Sequence, residues 1–241
     1  MCSVRESIFD IIAAIWLERL HFIKKKPNDV GFLGSSPSVM VPMLEELYPN
    51  RVSTLSDREK TAIRSEFLPS LDFLITDYYR LQKRQSLSEH LCHGSQLLKE
   101  QGLLFLVSLG EGTVGQLYDY LGINKKTSFL IHLEDLVESV EQAGFQELVC
   151  SVEKMDFQYG KLATLERDLQ DLAIFSAIAE DAALSEDALR MVLEAKWPKE
   201  GLKVSYNFIF SHAIRKKSRH LDEEPVSYTH LRAHETGRNI V

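Results

Sequence analysis

A short apolar run near the middle of the chain constrains the fold more than any other stretch. Residues 101–115 read QGLLFLVSLGEGTVG, and residues 103–109 are apolar apart from one serine. The run is too short to cross a membrane, and it is typical of a central strand covered on both faces. A glycine-rich turn follows it, so we expect a flexible loop beyond the carboxyl end of a buried strand. In an open α/β sheet, ligands collect at such a place.

Helix and strand signals flank this run. Ser86 and Glu89 have the S-x-x-E spacing of a capping box and predict a helix start, and Gly102 predicts the end of that helix. Apolar residues at helical spacing predict an amphipathic helix over residues 7–22. Residues 203–213 alternate between apolar and polar side chains and predict a strand. The alternation of helices and strands indicates an α/β fold.

Two further helical segments are predicted in the second half of the chain. Residues 162–197 carry a stripe of apolar residues with a break near residues 183–185, and such a stripe is usually part of a core. Residues 132–143 predict a second amphipathic helix, ended by Gly144. Its expected inward residues are Leu133, Leu136, Val137 and Val140.

Composition narrows the class of protein. A chain of 241 residues with 44% hydrophobic residues can form one α/β domain with an added subdomain. A net charge of −7 argues against general binding of nucleic acid. Three scattered cysteines do not form a disulfide framework, and Glu6 and Asp10 interrupt the first apolar segment, which makes it a poor signal peptide. We therefore expect a cytoplasmic protein.

The last residues are set apart from the rest. Residues 225–241 read PVSYTHLRAHETGRNIV and resemble a translated sequencing-adaptor artefact. His230, His234 and Glu235 have side chains that bind metals, but we assign them no function for this reason. His90 and His93 share a helix face, yet no second pair of ligands follows them, so a metal site is not predicted. We expect residues 218–241 to form a disordered or artefactual tail.

Several segments resemble class I S-adenosylmethionine-dependent methyltransferases. The stretch LLFLVSLGEGTVGQLYDYLG is similar to the family's fifth strand and the loop after it. ERLHFIKKKPNDV, LDFLITDYYRLQKRQ, AGFQELVCSVEKMDFQYG and KVSYNFIFSHAIRKK resemble other family segments in the same order. The resemblance covers roughly residues 21–217 and is closest to the malonyl-acyl-carrier-protein O-methyltransferases of biotin synthesis.

The resemblance implies a fold. It implies a Rossmann-like sheet whose last strand is antiparallel, within one domain over residues 1–217. A helical insertion on the substrate side would span about residues 160–200. The family's third strand would be missing or shortened, since only residues 56–70 separate two predicted strands. A lost edge strand would leave the central strands paired but remove a wall of the adenine pocket.

The resemblance also places candidate cofactor-binding residues. Residues 28–37, NDVGFLGSSP, fall where the family has VLDLGCGTG, so Gly34 and Ser36 lie on the loop that contacts the cofactor. Phe32 replaces the family's acidic residue, and Ser36 and Ser38 replace its later glycines. A structural turn explains a lone glycine at least as well. Asp57 follows the second strand, where an acid would bind the ribose, but it also suits a helix start beside Ser56. The resemblance places Asp77 at the end of the family's fourth strand. There it is either a contact to the cofactor or an acid in solvent.

Two functions follow from this pattern. The first is methyl transfer from S-adenosylmethionine to the carboxylate of malonyl on an acyl-carrier protein. No catalytic base is assigned, because a carboxylate is already ionised at neutral pH. Arg80, Lys83 and Lys24 to Lys26 are the expected carrier contacts. The second is a binding or assembly protein that keeps the methyltransferase fold and has lost catalysis, which the substituted glycines and the short third-strand region favour.

Overall fold

Helices and strands alternate along the chain. The computed structural model describes residues 7–34, 37–55, 70–79, 86–124 and 130–217. The helices are α1 (Ile8–His21), α2 (Pro37–Leu47), α3 (Leu87–Leu97), α4 (Gly115–Leu121), α5 (Leu133–Gln142), α6 (Leu162–Asp171), α7 (Phe175–Asp181) and α8 (Glu186–Lys196). The strands are β1 (Val30–Leu33), β2 (Val52–Thr54), β3 (Leu71–Tyr78), β4 (Leu98–Leu109), β5 (Phe145–Tyr159) and β6 (Leu202–Arg215).

The strands form one sheet in the order β2-β1-β3-β4-β6-β5. Strands β2, β1, β3 and β4 are parallel, and β6 is antiparallel to both β4 and β5. This is an α/β, Rossmann-like methyltransferase sheet with an inserted antiparallel last strand, so the predicted fold class is confirmed. In the described part of the chain β2 forms one edge. Residues 56–69, where the family's third strand would fall, lie outside the described residues.

Both faces of the sheet are covered. One face packs against α1, α2 and the three helices α6 to α8, and the other packs against α3 and α5. In β4, Phe105 and Val107 enter the first core while Leu104 and Leu106 enter the second. The prediction of a central strand covered on both faces is therefore confirmed.

Capping boxes begin two of the helices. Ser7 Oγ accepts a hydrogen bond from the backbone N–H of Asp10, and the Asp10 carboxylate accepts one from the N–H of Ser7. Ser86 and Glu89 make the same reciprocal pair at the start of α3. These bonds satisfy N–H groups that a helix start leaves without partners. The helix starts predicted at these two positions are confirmed.

The end of α3 differs from the prediction. The helix stops at Leu97, and Gly102 lies inside β4. A register shift in the β3–β4 pairing and a positive φ of 61° at Gln101 accommodate the polar residues before the apolar run. Lys99 forms ion pairs with Asp29 at 2.9 Å and Asp72 at 3.0 Å, which hold this bulged start of β4 against β3. Tertiary contacts therefore override the helical propensity of the polar residues.

Two of the four residues expected inward on α5 are exposed. Leu136 and Val140 are buried, whereas Leu133 is 45% and Val137 is 40% exposed. The helix therefore presents a narrower apolar stripe to the sheet and α3 than its sequence pattern predicts. In α6 and the residues beyond it the predicted stripe is buried, at Leu165, Leu169, Leu172 and Ile178. None of the described helices is long and apolar enough to cross a membrane.

Candidate functional site

The structure brings two of the predicted site residues together at the carboxyl ends of β1 and β3. Leu33 pairs with Thr76 in the parallel register, so Gly34 and Asp77 lie side by side. A Cβ built on Gly34 would come within 2.5 Å of Asp77 Oδ2 and within 2.5 Å of the Phe32 ring. Ser36 and Asp57 lie outside the described residues. A role of any of the four in cofactor binding stays a prediction.

A buried hydrogen-bond chain fixes this junction. Thr76 is 1% exposed, and its hydroxyl donates to the carbonyl of Leu33 at 2.6 Å. His90 Nε2 lies 2.8 Å from the same hydroxyl oxygen. Because the threonine hydroxyl has a single proton, His90 Nε2 is the donor in this second bond. His90 therefore helps to position the strand end, a role that the sequence reading of His90 and His93 missed.

Aromatic and aliphatic side chains fill the space next to Gly34. Tyr79 follows β3 and is 3% exposed, with its ring centroid 6.2 Å from those of Phe9 in α1 and Phe208 in β6. The cavity that remains here has a volume of about 10 Å³. That is about the space of one water molecule. Its lining comprises Phe9, Ile12, Trp16, Phe32, Met40, Thr76, Asp77, Tyr79 and Val107.

Burial controls the ionisation of the tyrosines at this edge. Burial, and then the negative charge of Asp77, raise the pKa of Tyr79 well above its usual value. Burial raises the pKa of Tyr78 as well, with a smaller contribution from Glu89. Both phenols therefore stay protonated at neutral pH, and neither is poised to act as a general base.

The loop after β4 is held in place, in contrast to the flexible loop that its glycines predict. Thr113 is 1% exposed, and its hydroxyl donates to the carbonyl of Gly110 at 2.8 Å and accepts from the N–H of Asn207 at 3.0 Å. Oε1 of Glu111 in this loop lies 3.0 Å from Nδ1 of His132, the residue before α5. Val114 adopts a left-handed φ of 50°, which is unfavourable for a β-branched residue. Contacts with β6, distant in sequence, therefore make this loop ordered.

At the Gly34 edge, the described residues leave little room for S-adenosylmethionine, the cofactor that the fold family implies. Sites for molecules of this size have volumes of roughly 300–1,000 Å³, far above the cavity beside Gly34. The close approach that a glycine permits is used here by the chain's own Asp77 and Phe32. Apolar side chains from α1 occupy the adjoining space, where a charged amino acid and ribose would need polar partners.

Three of the lysines predicted to contact a carrier protein, Lys24 to Lys26, lie away from the Gly34 edge. Lys25 Nζ donates to the carbonyl of Gln101, which precedes the apolar run of β4. Lys24 to Lys26 therefore lie at the amino-end edge of the parallel strands, roughly 20 Å from the carboxyl-end edge at about 3.3 Å per residue. Arg80 and Lys83 lie outside the described residues. Among the described residues, no group of three or more His, Cys, Asp or Glu side chains could hold a metal ion.

Comparison with known proteins finds similarity in structure alone. No family model and no curated protein sequence matches the chain. The YcgJ protein from Bacillus subtilis superposes with a TM-score of 0.48 at 8% identity, over 86% of this chain and 98% of that one. The [4+2]-cyclase SpnF gives a TM-score of 0.48 at 14% identity, over 89% and 85% of the two chains.

A third structure carries a methyltransferase description. A SAM-dependent methyltransferase from Thermotoga maritima superposes with a TM-score of 0.45 at 13% identity, over 85% of this chain and 89% of that one. All three TM-scores are below 0.5, so the fold is assigned from the strand order and the antiparallel β6 described above. On that basis the chain has a Rossmann-like sheet with the inserted antiparallel strand that the resemblance to class I methyltransferases implies.

Proposed function

We propose that this chain is a binding or assembly protein that keeps a methyltransferase fold without transferring methyl groups. The observation that carries the proposal is the filled space at the carboxyl ends of β1 and β3. There the described residues leave about 10 Å³ beside Gly34, lined mostly by apolar side chains. Phe32 replaces an acidic residue of the family pattern, and its ring packs against Gly34. A fold can persist after its original site has closed, because the core and the site depend on different residues.

Calorimetric titration of the full chain with S-adenosylhomocysteine tests this proposal. We expect no detectable heat of binding at millimolar ligand, together with a cooperative thermal transition that shows a folded protein. The variant Phe32→Ala is a useful companion, because it removes the ring next to Gly34 and opens space at the same edge. Micromolar binding by the unaltered chain would overturn the proposal.

A second candidate is the carboxyl O-methyltransferase acting on malonyl-acyl-carrier protein in biotin synthesis, with S-adenosylmethionine as the methyl donor. It is favoured by the position of Gly34 and Asp77, which lie together at the edge of the sheet where the resemblance implies a cofactor. The test is a transfer assay with malonyl-carrier protein and labelled S-adenosylmethionine. Formation of the methyl ester would establish this candidate, and its absence with a folded chain would support the first.

A further inference from the structure

A larger cavity lies away from the Gly34 edge, between α1 and the middle of the sheet. Its volume is about 210 Å³, and it is bounded by the last two turns of α1 and by strands β4, β5 and β6. A cavity of about 150 Å³ in another protein is large enough to bind benzene, so this one can hold a single ring or a short alkyl chain. The apolar part of its lining includes Trp16, Phe22, Ile23, Phe105, Val149 and Phe210.

Two buried polar atoms on residues that line this cavity have no hydrogen-bond partner within the described structure. They are the indole nitrogen of Trp16 and the hydroxyl oxygen of Ser151. Trp16 is only 4% exposed, so water does not readily accept a hydrogen bond from its N–H group. Buried groups without partners are uncommon, and each costs about 1–3 kcal/mol. Because both atoms are closed to water, they do not contact a molecule in the cavity, and Trp16 contributes its apolar ring to the lining.

Arg19 places a cationic group at the cavity, paired on one side with the carboxylate of Glu153. Arg19 donates to Glu153 through Nη2 alone, at 2.5 Å, and its guanidinium lies 4.7 Å from the centre of the Phe210 ring. The other guanidinium N–H groups take no part in this bond and can donate to a second carboxylate. Burial, and then the charge of Arg19, lower the pKa of His212, so that His212 is neutral at pH 7. Arg19 is then the cation among the lining residues.

The mouth of the cavity exposes apolar surface. Phe22 is 77% exposed and Val149 is 53% exposed, and both line the cavity. Covering such side chains stabilises a complex by about 25 cal/mol for each Å² removed from water. The cavity therefore combines an apolar body, an apolar mouth and a cationic group with free donors.

We propose that this cavity binds a small carboxylate whose body is a short alkyl chain or a single aromatic ring. The carboxylate would bind Arg19, and the body would pack among the apolar lining. The site shares only Trp16 with the lining of the cavity beside Gly34, so it does not depend on whether the protein binds S-adenosylhomocysteine.

The test is calorimetric titration of the full chain with octanoate and with benzoate, and with octylamine as the probe of opposite charge. We expect saturable binding of at least one carboxylate and none of octylamine. Arg19→Gln should weaken carboxylate binding at least about tenfold, because it removes a charge-assisted hydrogen bond. Arg190→Gln is the matched control, since Arg190 also pairs with carboxylates but lies in α8, away from the cavity.

A second variant keeps the test independent of any effect of Arg19 on folding. Phe22→Ala removes an exposed ring at the mouth and should weaken binding, whereas Met191→Ala, at a side chain that is 69% exposed on α8, should not. Failure of both carboxylates to bind a folded chain would overturn the proposal. Equal binding of octylamine, or carboxylate binding that neither Arg19→Gln nor Phe22→Ala weakens, would do the same.

Discussion

The carboxylate of Asp77 lies against the backbone of Gly34, so that a Cβ on Gly34 would come within 2.5 Å of Asp77 Oδ2. The buried ring of Phe32 would be equally close. Glycine at this position is therefore required by the chain's own packing. A glycine that matches a ligand-binding motif can thus have a structural reason of its own.

Gly34→Ala should destabilise the fold by about 1–3 kcal/mol, because the added methyl group overpacks the space next to a buried ring. Urea denaturation monitored by circular dichroism measures the effect. Gly160→Ala is the control, since no atom lies within 4 Å of a Cβ built there, and it should change stability by less than about 0.5 kcal/mol. Equal effects of the two substitutions would show that the space beside Gly34 is open.

Thr76→Val should also destabilise the protein. Valine keeps the shape of threonine but has no hydroxyl. The substitution leaves the carbonyl of Leu33 and the ring Nε2–H of His90 without their buried partner. We expect a loss of about 1–3 kcal/mol in the free energy of unfolding. Thr54→Val in β2, where the side chain is exposed, serves as the control in the same denaturation experiment. A neutral Thr76→Val would contradict the hydrogen-bond chain.

Tyr118 should make the stability depend on pH in the alkaline range. Burial, and then the hydrogen bond and charge of Asp181, raise the pKa of Tyr118 far above its usual value near 10. Above pH 10 the unfolded chain loses this proton while the folded chain keeps it, so stability falls as the pH rises.

Urea denaturation of the unaltered chain and of Tyr118→Phe, between pH 8 and about 11, checks this expectation. The variant should be less stable at neutral pH, by about 1–2 kcal/mol for the lost hydrogen bond. Its stability should then decline less steeply above pH 10. Parallel curves for the two proteins would contradict a protonated Tyr118 in the folded state.

Asp72 should make the stability of the protein depend on pH in the acidic range. Burial alone would raise its pKa, but the N–H groups of Asn28 and Asp29 and the ammonium group of Lys99 outweigh burial and hold the pKa below its usual value. The stabilisation is therefore present above about pH 4 and is lost as the pH falls through the lowered pKa.

Asp72→Asn should cost up to about 1 kcal/mol at pH 7, a value reduced because the ion pair with Lys99 is partly exposed to solvent. The cost should shrink as the pH falls below about 4, since the aspartate in the unaltered chain then becomes protonated. Thermal unfolding at pH 7 and at pH 3 gives the comparison. A cost that stays constant with pH would assign the effect to packing.

The elements that the sequence predicted correctly are those whose signals are local. The capping box at Ser86 and the apolar run of β4 each depend on a few consecutive residues. The end of α3 was predicted wrongly because the ion pairs of Lys99 join three segments that are distant in sequence. The exposure of Leu133 and Val137 likewise depends on how α5 is placed on the sheet.

The candidate site was predictable in position but not in shape. Parallel strands bring Gly34 and Asp77 to one edge, and a pattern match can reveal this. The closure of the space depends on Phe9 from α1 and on Tyr79 after β3, whose contact no local pattern indicates. The pair of tyrosines at the end of β3 was the available signal, because large rings at that position can fill the space beside Gly34.

The place of β6 in the sheet has a consequence for synthesis on the ribosome. This strand is late in the chain, yet it lies between β4 and β5 and pairs with both. Until residue 215 has left the ribosomal tunnel, the nascent chain keeps two hydrogen-bonding strand edges without their partner. The sheet can close only once β6 has been synthesised, so the facing edges of β4 and β5 stay open to other strands until then.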